Sequence, residues 1–347
     1  MVTHSTSAQR QSRSDTRTAT IKSQPLRMPK GRLCGTGMRE MKMNNVNIRT
    51  GNCLDILPTM EAGSVNCCVT SPPYFGLRDY GNDEQIGLEE TPEAFVESLV
   101  NVFREVKRVL ADDGTLWLNL GDSYAGSGRG PAGNLGSKNN ERHMEDKHSC
   151  LTPKGLKPKD LIGIPWRVAL ALQADGWYLR QDIIWSKPNP MPESVTDRCT
   201  KAHEYIFLLS KSPKYFYDAD AISEPAIYAG DDRGSRTDSR RGTECNSMSG
   251  KTGETRNKRS VWEVTTKPYS GAHFATFPPD LIKPCILAGC PTGGTVLDPF
   301  GGSGTTGMVA LELGRSAELI ELNPDYVEII EGRTHVTPGF NFEGSAS

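Results

Sequence analysis

Short apolar runs alternate with amphipathic stretches from about residue 46, and this alternation restricts the fold more than any other feature of the chain. Residues 65–70 form a largely apolar run that is typical of a buried strand. Thr91 and Pro92 then begin a stretch with apolar residues every three or four positions, which predicts a helix ended by Gly114. A second apolar run follows at 115–120. Repeated units of this kind predict an α/β fold, a mostly parallel sheet with helices on both faces.

The same patterns predict the remaining elements and the division of the chain. We expect a helix at about 159–174, strands at 178–185, 205–210, 294–300 and 317–322, and helices at 305–313 and 324–332. Polar, glycine-rich or basic sequence predicts a disordered tail at 1–44, a mobile insertion at about 126–157, a second insertion at 218–267 and a tail at 336–347. The segments 45–217 and 268–335 are then two halves of one domain.

Composition argues against membrane and metal-binding proteins. The chain has 347 residues and a formal net charge of −2, and no apolar run approaches the roughly 18–20 residues that cross a bilayer. Its nine cysteines include no C-x-x-C pair, so we expect reduced thiols and no metal site. These features predict a cytoplasmic protein without a membrane partner.

One segment is strongly basic although the whole chain is nearly neutral. Between Arg233 and Arg259, eight lysines and arginines stand against three acids, which leaves a local charge of +5. Such a patch is compatible with contacts to nucleic-acid phosphates, and a solvated loop is the alternative. On the first interpretation, the side chains that contact nucleic-acid phosphates include those of Arg240, Arg241, Lys258 and Arg259.

A glycine-rich loop follows the predicted strand near residue 295. The sequence Asp298-Pro299-Phe300 leads into GGSG at 301–304, and Thr305 then begins a helix. Glycines allow close approach of a ligand, and the N–H groups of a helix N-terminus bind anions. Glu321 lies at the tip of the next predicted strand, where a carboxylate can bind ribose hydroxyls. The loop alone is compatible with a nicotinamide cofactor as well as with other nucleoside cofactors.

The tetrapeptide Ser71-Pro72-Pro73-Tyr74 follows the first buried strand. Two prolines fix the backbone and remove two N–H donors, so the carbonyl of Pro72 can accept a hydrogen bond from an amino group. Ser71 supplies a second acceptor and Tyr74 an aromatic face. This set suits an exocyclic amine of a base that has been flipped out of a duplex, whereas a simple proline turn is the alternative.

Together the two motifs resemble those of the β-class, circularly permuted DNA amino-methyltransferases, in which the catalytic tetrapeptide precedes the glycine loop. The resemblance covers about 46–335 and implies a permuted Rossmann-like sheet, S-adenosyl-L-methionine as cofactor, double-stranded DNA as substrate and a cognate restriction endonuclease as a candidate partner. It implies catalytic roles for Ser71, Pro72, Pro73 and Tyr74. The cofactor-binding residues that it implies are Asn52, Thr276, Phe277, Asp298, Phe300, Gly302, Ser303, Gly304, Thr305, Thr306 and Glu321.

Residues 182–192 resemble the family's loop beside the flipped base. This resemblance implies that Trp185 and Asn189 contact DNA, and core packing is the alternative for Trp185.

The first residue of the tetrapeptide bears on which base is methylated. In the family, serine at this position is usual for cytosine N4, and aspartate or asparagine for adenine N6. Ser71 therefore favours cytosine N4. Adenine N6, RNA or protein methylation, a catalytically inactive DNA-binding protein with the same fold and a nicotinamide oxidoreductase are the alternatives.

Overall fold

Most of the strands in the computed structural model lie in one eight-stranded sheet. The structure describes residues 44–77, 82, 84–126, 152–153, 155–226, 254–266 and 277–334. The strands of the main sheet are β1 (Val46–Thr50), β2 (Val65–Thr70), β3 (Leu110–Leu120), β4 (Tyr178–Ser186), β5 (His203–Ser210), β8 (Val261–Glu263), β9 (Thr295–Asp298) and β10 (Ser316–Glu321). Two short strands, β6 (Glu224–Pro225) and β7 (Thr255–Arg256), pair separately.

The strand order in the sheet is β1-β10-β9-β2-β3-β5-β4-β8. Neighbouring strands of the main sheet are parallel from β1 through to β3 and again between β4 and β8. Within the described part of this sheet, β5 alone runs opposite to the other strands. The predicted mostly parallel α/β sheet is therefore confirmed. The glycine loop follows β9 and the tetrapeptide follows β2. Because these two strands are parallel neighbours, both motifs leave the sheet at the same edge.

Helices cover both faces of the sheet. They are α1 (Cys53–Ile56), α2 (Pro92–Val109), α3 (Ile164–Ala174), α4 (Pro279–Gly289), α5 (Thr305–Glu312) and α6 (Pro324–Thr334). Side chains of β3 alternate between the two layers: Leu116 and Leu118 belong to the same hydrophobic cluster as Phe95 and Phe103 of α2, whereas Trp117 packs in the cluster that contains Ile286 of α4. None of the helices in the described part of the chain combines the length and apolarity needed to span a bilayer.

Two helix boundaries differ from the sequence prediction. Thr91 caps α2 as expected, accepting a hydrogen bond from the N–H of Ala94 at 3.1 Å, but α2 ends at Val109 because the chain there enters β3. Gly114 lies inside that strand. Helix α3 begins at Ile164 instead of near 159, since the carboxylate of Asp122 accepts hydrogen bonds from the N–H groups of Gly163 and Ile164.

Some predicted segments lie outside the described residues, and some elements were not predicted. The tails and most of both insertions lie outside the described residues. Helix α4 and strand β8 were not predicted from the sequence. β8 lies within the predicted 218–267 insertion, yet it pairs with β4 and forms an edge of the main sheet.

Candidate active site

A cavity of about 490 Å³ opens at the carboxyl edge of the parallel strands. Most of its lining residues come from the ends of β1, β2, β9 and β10 and the segments that follow them, namely 51–53, 71–74, 298–303 and 321–326. Ligands bind at this edge of open α/β sheets because several strand ends and their loops converge there. The topology therefore brings the tetrapeptide and the glycine loop, more than two hundred residues apart in the chain, into one cavity.

Glycine serves two different purposes in the loop. Gly302 has φ +52°, and a Cβ there would meet little besides the carbonyl oxygen of Phe300, so its backbone is open towards the cavity. Gly304 has φ +76°, and a Cβ there would lie 2.8 Å from Cγ2 of Ile330. Gly304 is needed for packing against α6 and is not among the residues that line the cavity, whereas Gly302 is.

Glu321 lies at the end of β10 and is 8% exposed. Its Oε2 accepts a 2.6 Å hydrogen bond from the N–H of Gly302, and its Oε1 accepts one of 2.9 Å from the N–H of Asn323. Burial raises the pKa of this carboxyl group. The acid predicted to bind ribose hydroxyls thus lines the cavity and contacts the glycine loop directly.

Asp298 joins the two halves of the site. Its Oδ1 accepts from the hydroxyl of Thr70 at 2.6 Å and from the N–H of Phe300 at 3.1 Å, and its Oδ2 accepts from the hydroxyl of Thr306 at 2.6 Å. Burial raises its pKa to about 7, although these hydrogen bonds act in the opposite direction. Thr306 is completely buried and does not line the cavity. The contact with Thr70 anchors the residue directly before Ser71.

An arginine that the sequence analysis did not single out supports the loop from α6. Nη1 of Arg333 donates to the carbonyl oxygen and the hydroxyl of Ser303, both at 2.6 Å, and to the hydroxyl of Thr305 at 3.2 Å. Ser303 and Thr305 both line the cavity, as predicted cofactor residues would. No local pattern marks Arg333, because its partners lie about thirty residues earlier.

The four tetrapeptide residues all line the cavity. The hydroxyl of Tyr74 donates to Oε2 of Glu204 at 2.8 Å. Its ring lies against the backbone of Gly121, where an added Cβ would come within 2.4 Å of the ring atom Cε2. Sequence reasoning missed Gly121 and Glu204, although each lies at an end of a predicted strand near the site.

The other predicted cofactor residues fall into two groups. Asn52, Phe277 and Phe300 line the cavity. Oδ1 of Asn52 accepts from the N–H of Leu54 at 3.0 Å, so this side chain also caps α1. Thr276 lies outside the described residues.

The structure places the two predicted base-loop contacts away from the cavity lining. Trp185 is 4% exposed and its indole N–H donates to the carbonyl of Val264 at 2.8 Å, so it packs in the core. Asn189 is exposed and makes two hydrogen bonds with the backbone of Thr266, of 3.1 and 3.0 Å. These bonds hold the loop after β4 against the segment after β8.

The basic segment is described only at its C-terminal end. Arg240 and Arg241 lie outside the described residues. Nζ of Lys258 lies 5.2 Å from the ring centre of Trp262, and Nε of Arg259 is 2.7 Å from Oε1 of Glu224. Arg259 therefore already has an acidic partner, and its charge is partly compensated.

Comparisons with known proteins agree on one family. A family model described as DNA methylase, for N6 and N4 methyltransferases, matches residues 65–332. The type II methyltransferase M.Cfr9I of Citrobacter freundii is 52% identical over 293 residues, which cover 84% of this chain and 89% of that protein. The type II methyltransferase M.SmaI of Serratia marcescens is 48% identical over 294 residues, which cover 85% of this chain and 92% of that protein.

Solved structures share the fold at lower identity. The PvuII DNA methyltransferase, described as cytosine-N4-specific, superposes with a TM-score of 0.58 at 19% identity, covering 86% of this chain and 89% of that one. A DNA modification methylase of Thermus thermophilus, solved with S-adenosyl-L-methionine, has a TM-score of 0.53 at 23% identity, covering 86% of this chain and 96% of that one.

Proposed function

This chain belongs to the N6/N4 family of DNA methylases, and within that family we propose that it methylates the N4 amine of cytosine. It is a DNA methyltransferase that uses S-adenosyl-L-methionine, which supplies an electrophilic methyl group on a sulfonium sulfur. The choice between cytosine N4 and adenine N6 is the finer step that we propose here.

The residues around the cavity suit this cofactor. The aromatic rings of Phe277 and Phe300, the carboxylate of Glu321 and the open backbone of Gly302 all border the same space. Aromatic and apolar walls with a few convergent polar groups are typical of sites for small organic cofactors. Glu321 would hold hydroxyl groups of the cofactor, and the N-terminal turn of α5 would favour its carboxylate.

The cytosine-N4 proposal rests on the identity of Ser71. It is the first residue of the tetrapeptide and lies on the wall of the cavity that also contains the glycine loop. Serine in this position goes with cytosine N4 in the family, whereas adenine-N6 enzymes usually have aspartate or asparagine. The hydroxyl of Ser71 and the carbonyl of Pro72 would accept hydrogen bonds from the two hydrogens of the amine, so that its lone pair faces the methyl group.

The rest of the tetrapeptide would hold the base. The ring of Tyr74 offers a face on which the flipped base stacks. Ser71 is a poor general base at neutral pH, so the amine proton would pass to solvent water after transfer has made the nitrogen cationic. Catalysis then depends mainly on positioning, which an active site of backbone carbonyls and neutral hydroxyls can supply.

We also propose double-stranded DNA as the substrate and a cognate restriction endonuclease as the partner enzyme. The support is that the relatives with about half of their residues identical are named type II methyltransferases. The recognition segment would lie in or near the basic segment from Arg233 to Arg259.

Product analysis tests the proposal. DNA is incubated with the protein and methyl-labelled S-adenosylmethionine, digested to nucleosides and separated, and we expect label in N4-methylcytosine. Label in N6-methyladenine would refute the base assignment and leave the enzyme class intact. Cofactor binding without any methylated nucleoside would instead support the inactive DNA-binding alternative.

A matched pair of serine variants tests the role of Ser71. Ser71→Ala should slow methyl transfer and leave DNA affinity nearly unchanged, since the lost hydrogen bond matters for orienting the amine. Ser64→Ala removes an exposed hydroxyl just before β2 and should behave like the wild type. Equal rates in both variants would contradict the proposed role.

A further inference from the structure

Glu204 is a partly buried acid next to the candidate active site but outside the cavity lining. It lies on β5, and its side chain is 16% exposed. Its Oε2 accepts the 2.8 Å hydrogen bond from the hydroxyl of Tyr74. A hydrogen bond to a charged acceptor is stronger than one between neutral groups, so this contact can fix where the tyrosine hydroxyl lies.

The carboxylate of Glu204 is itself held from two neighbouring strands. Nδ2 of Asn119, at the end of β3, donates to its Oε2 at 3.3 Å and to the carbonyl of Tyr205 at 3.0 Å. Lys187, directly after β4, forms an ion pair with its Oε1. The ammonium of Lys187 also lies 4.3 Å from the ring centre of Trp185. The acceptor for Tyr74 is therefore anchored to the sheet.

The ring of Tyr74 has a second restraint. Its Cε2 edge lies against Gly121, where no side chain intervenes. A ring that contacts the backbone at one edge and is bonded through its hydroxyl has little freedom to rotate or tilt. The buried indole of Trp185, which sequence reasoning assigned to DNA, supports this arrangement through Lys187.

We propose that Glu204 is a positioning residue for methyl transfer: by accepting the hydroxyl of Tyr74, it sets the plane of the ring on which the target base stacks. This inference rests on the proposed function, because it assigns Glu204 to the same site and the same step. It also gives the hydroxyl of Tyr74 a role, whereas the sequence indicated only the face of its ring.

A double-mutant cycle separates this role from a merely structural one. Glu204→Gln keeps the shape of the side chain and removes its charge, and Tyr74→Phe removes the hydroxyl. We expect each variant to slow single-turnover methylation by about tenfold, with cofactor affinity and thermal midpoint retained. The hydroxyl of Tyr74 has a second, longer contact with Oδ1 of Asn119 at 3.4 Å, but the contact with Glu204 is the shorter one. Because both variants weaken that shorter contact, the double variant should be no slower than the slower single variant.

The controls and outcomes below distinguish a failure of the role proposed for Glu204 from a failure of the proposed function. Glu97→Gln, on the exposed side of α2, should match the wild type. A wild-type rate in Glu204→Gln, or a double variant slower by the product of both effects, would overturn the inference. If Glu204→Gln does not fold, a wild-type rate in Tyr74→Phe overturns it equally. Absence of methylation by the wild-type protein would instead refute the proposed function.

Discussion

Replacing Gly121 by alanine should displace the ring of Tyr74 and leave the cofactor part of the site unchanged. The added methyl would lie 2.4 Å from Cε2 of Tyr74 and 3.0 Å from both Cδ2 and Cζ. Carbon atoms in favourable contact are about 3.5–4.0 Å apart, so the ring must retreat by about 1 Å. Gly121 is not among the glycines with positive φ, so its backbone accepts alanine without strain.

The size of the effect follows from that displacement. A misplacement of about 1 Å in a site that works by positioning can cost about 100-fold in rate, equivalent to about 2.7 kcal/mol. We therefore expect the rate of methyl transfer in Gly121→Ala to fall by about that factor. Cofactor affinity should stay the same, because the residues proposed to hold the cofactor, Gly302 and Glu321, follow β9 and end β10, away from the strand that carries Gly121.

Single-turnover methylation of DNA is the appropriate assay, with calorimetry for cofactor affinity and thermal unfolding for the fold. Gly332→Ala is the matched control, because it adds the same methyl at an exposed position of α6, with no atom from the rest of the described structure within 4 Å. In a Tyr74→Ala background, Gly121→Ala should add little, since no ring remains to be displaced. A folded Gly121→Ala protein with the wild-type rate would refute the reasoning.

Three further predictions concern the cofactor, pH and DNA. Gly302→Val should weaken cofactor binding by about tenfold or more, because φ +52° is unfavourable for valine and the side chain would enter the cavity; unchanged affinity by calorimetry in a folded variant would contradict this. Burial raises the pKa of Asp298 to about 7. Its contribution to the free energy of unfolding is therefore fully present below about pH 4 and is lost as pH rises through about 7. The difference is about 4 kcal/mol at most. Urea unfolding should show this decline between about pH 4 and 7 in the wild type and not in Asp298→Asn; parallel pH profiles would show that the group is not responsible. Neutralising the four basic side chains predicted to contact DNA should weaken DNA binding and make its affinity less dependent on salt concentration. An unchanged salt dependence would indicate that the segment is a solvated loop without phosphate contacts.

Local patterns in the sequence were sufficient for the order of elements and for the motifs. The period of apolar residues distinguishes strand from helix, so most predicted elements of the main sheet agree with the structure to within a few residues. Ser71-Pro72-Pro73-Tyr74 and the loop from Asp298 to Gly304 were identified because each is contiguous and chemically distinctive. The resemblance to the amino-methyltransferase family depended on these two segments and on their order, and the family assignment is confirmed.

Only the tertiary structure decided which distant residues meet. Asp298 and Thr70 are separated by 228 positions, and Tyr74 and Glu204 by 130. The antiparallel direction of β5 and the burial of Trp185 likewise depend on neighbouring strands. Hydrophobic periodicity reports how one segment faces the core, but it carries no information about which other segment lies opposite. Those partners are selected by the packing of the whole sheet, and the proposed positioning of the base rests on them.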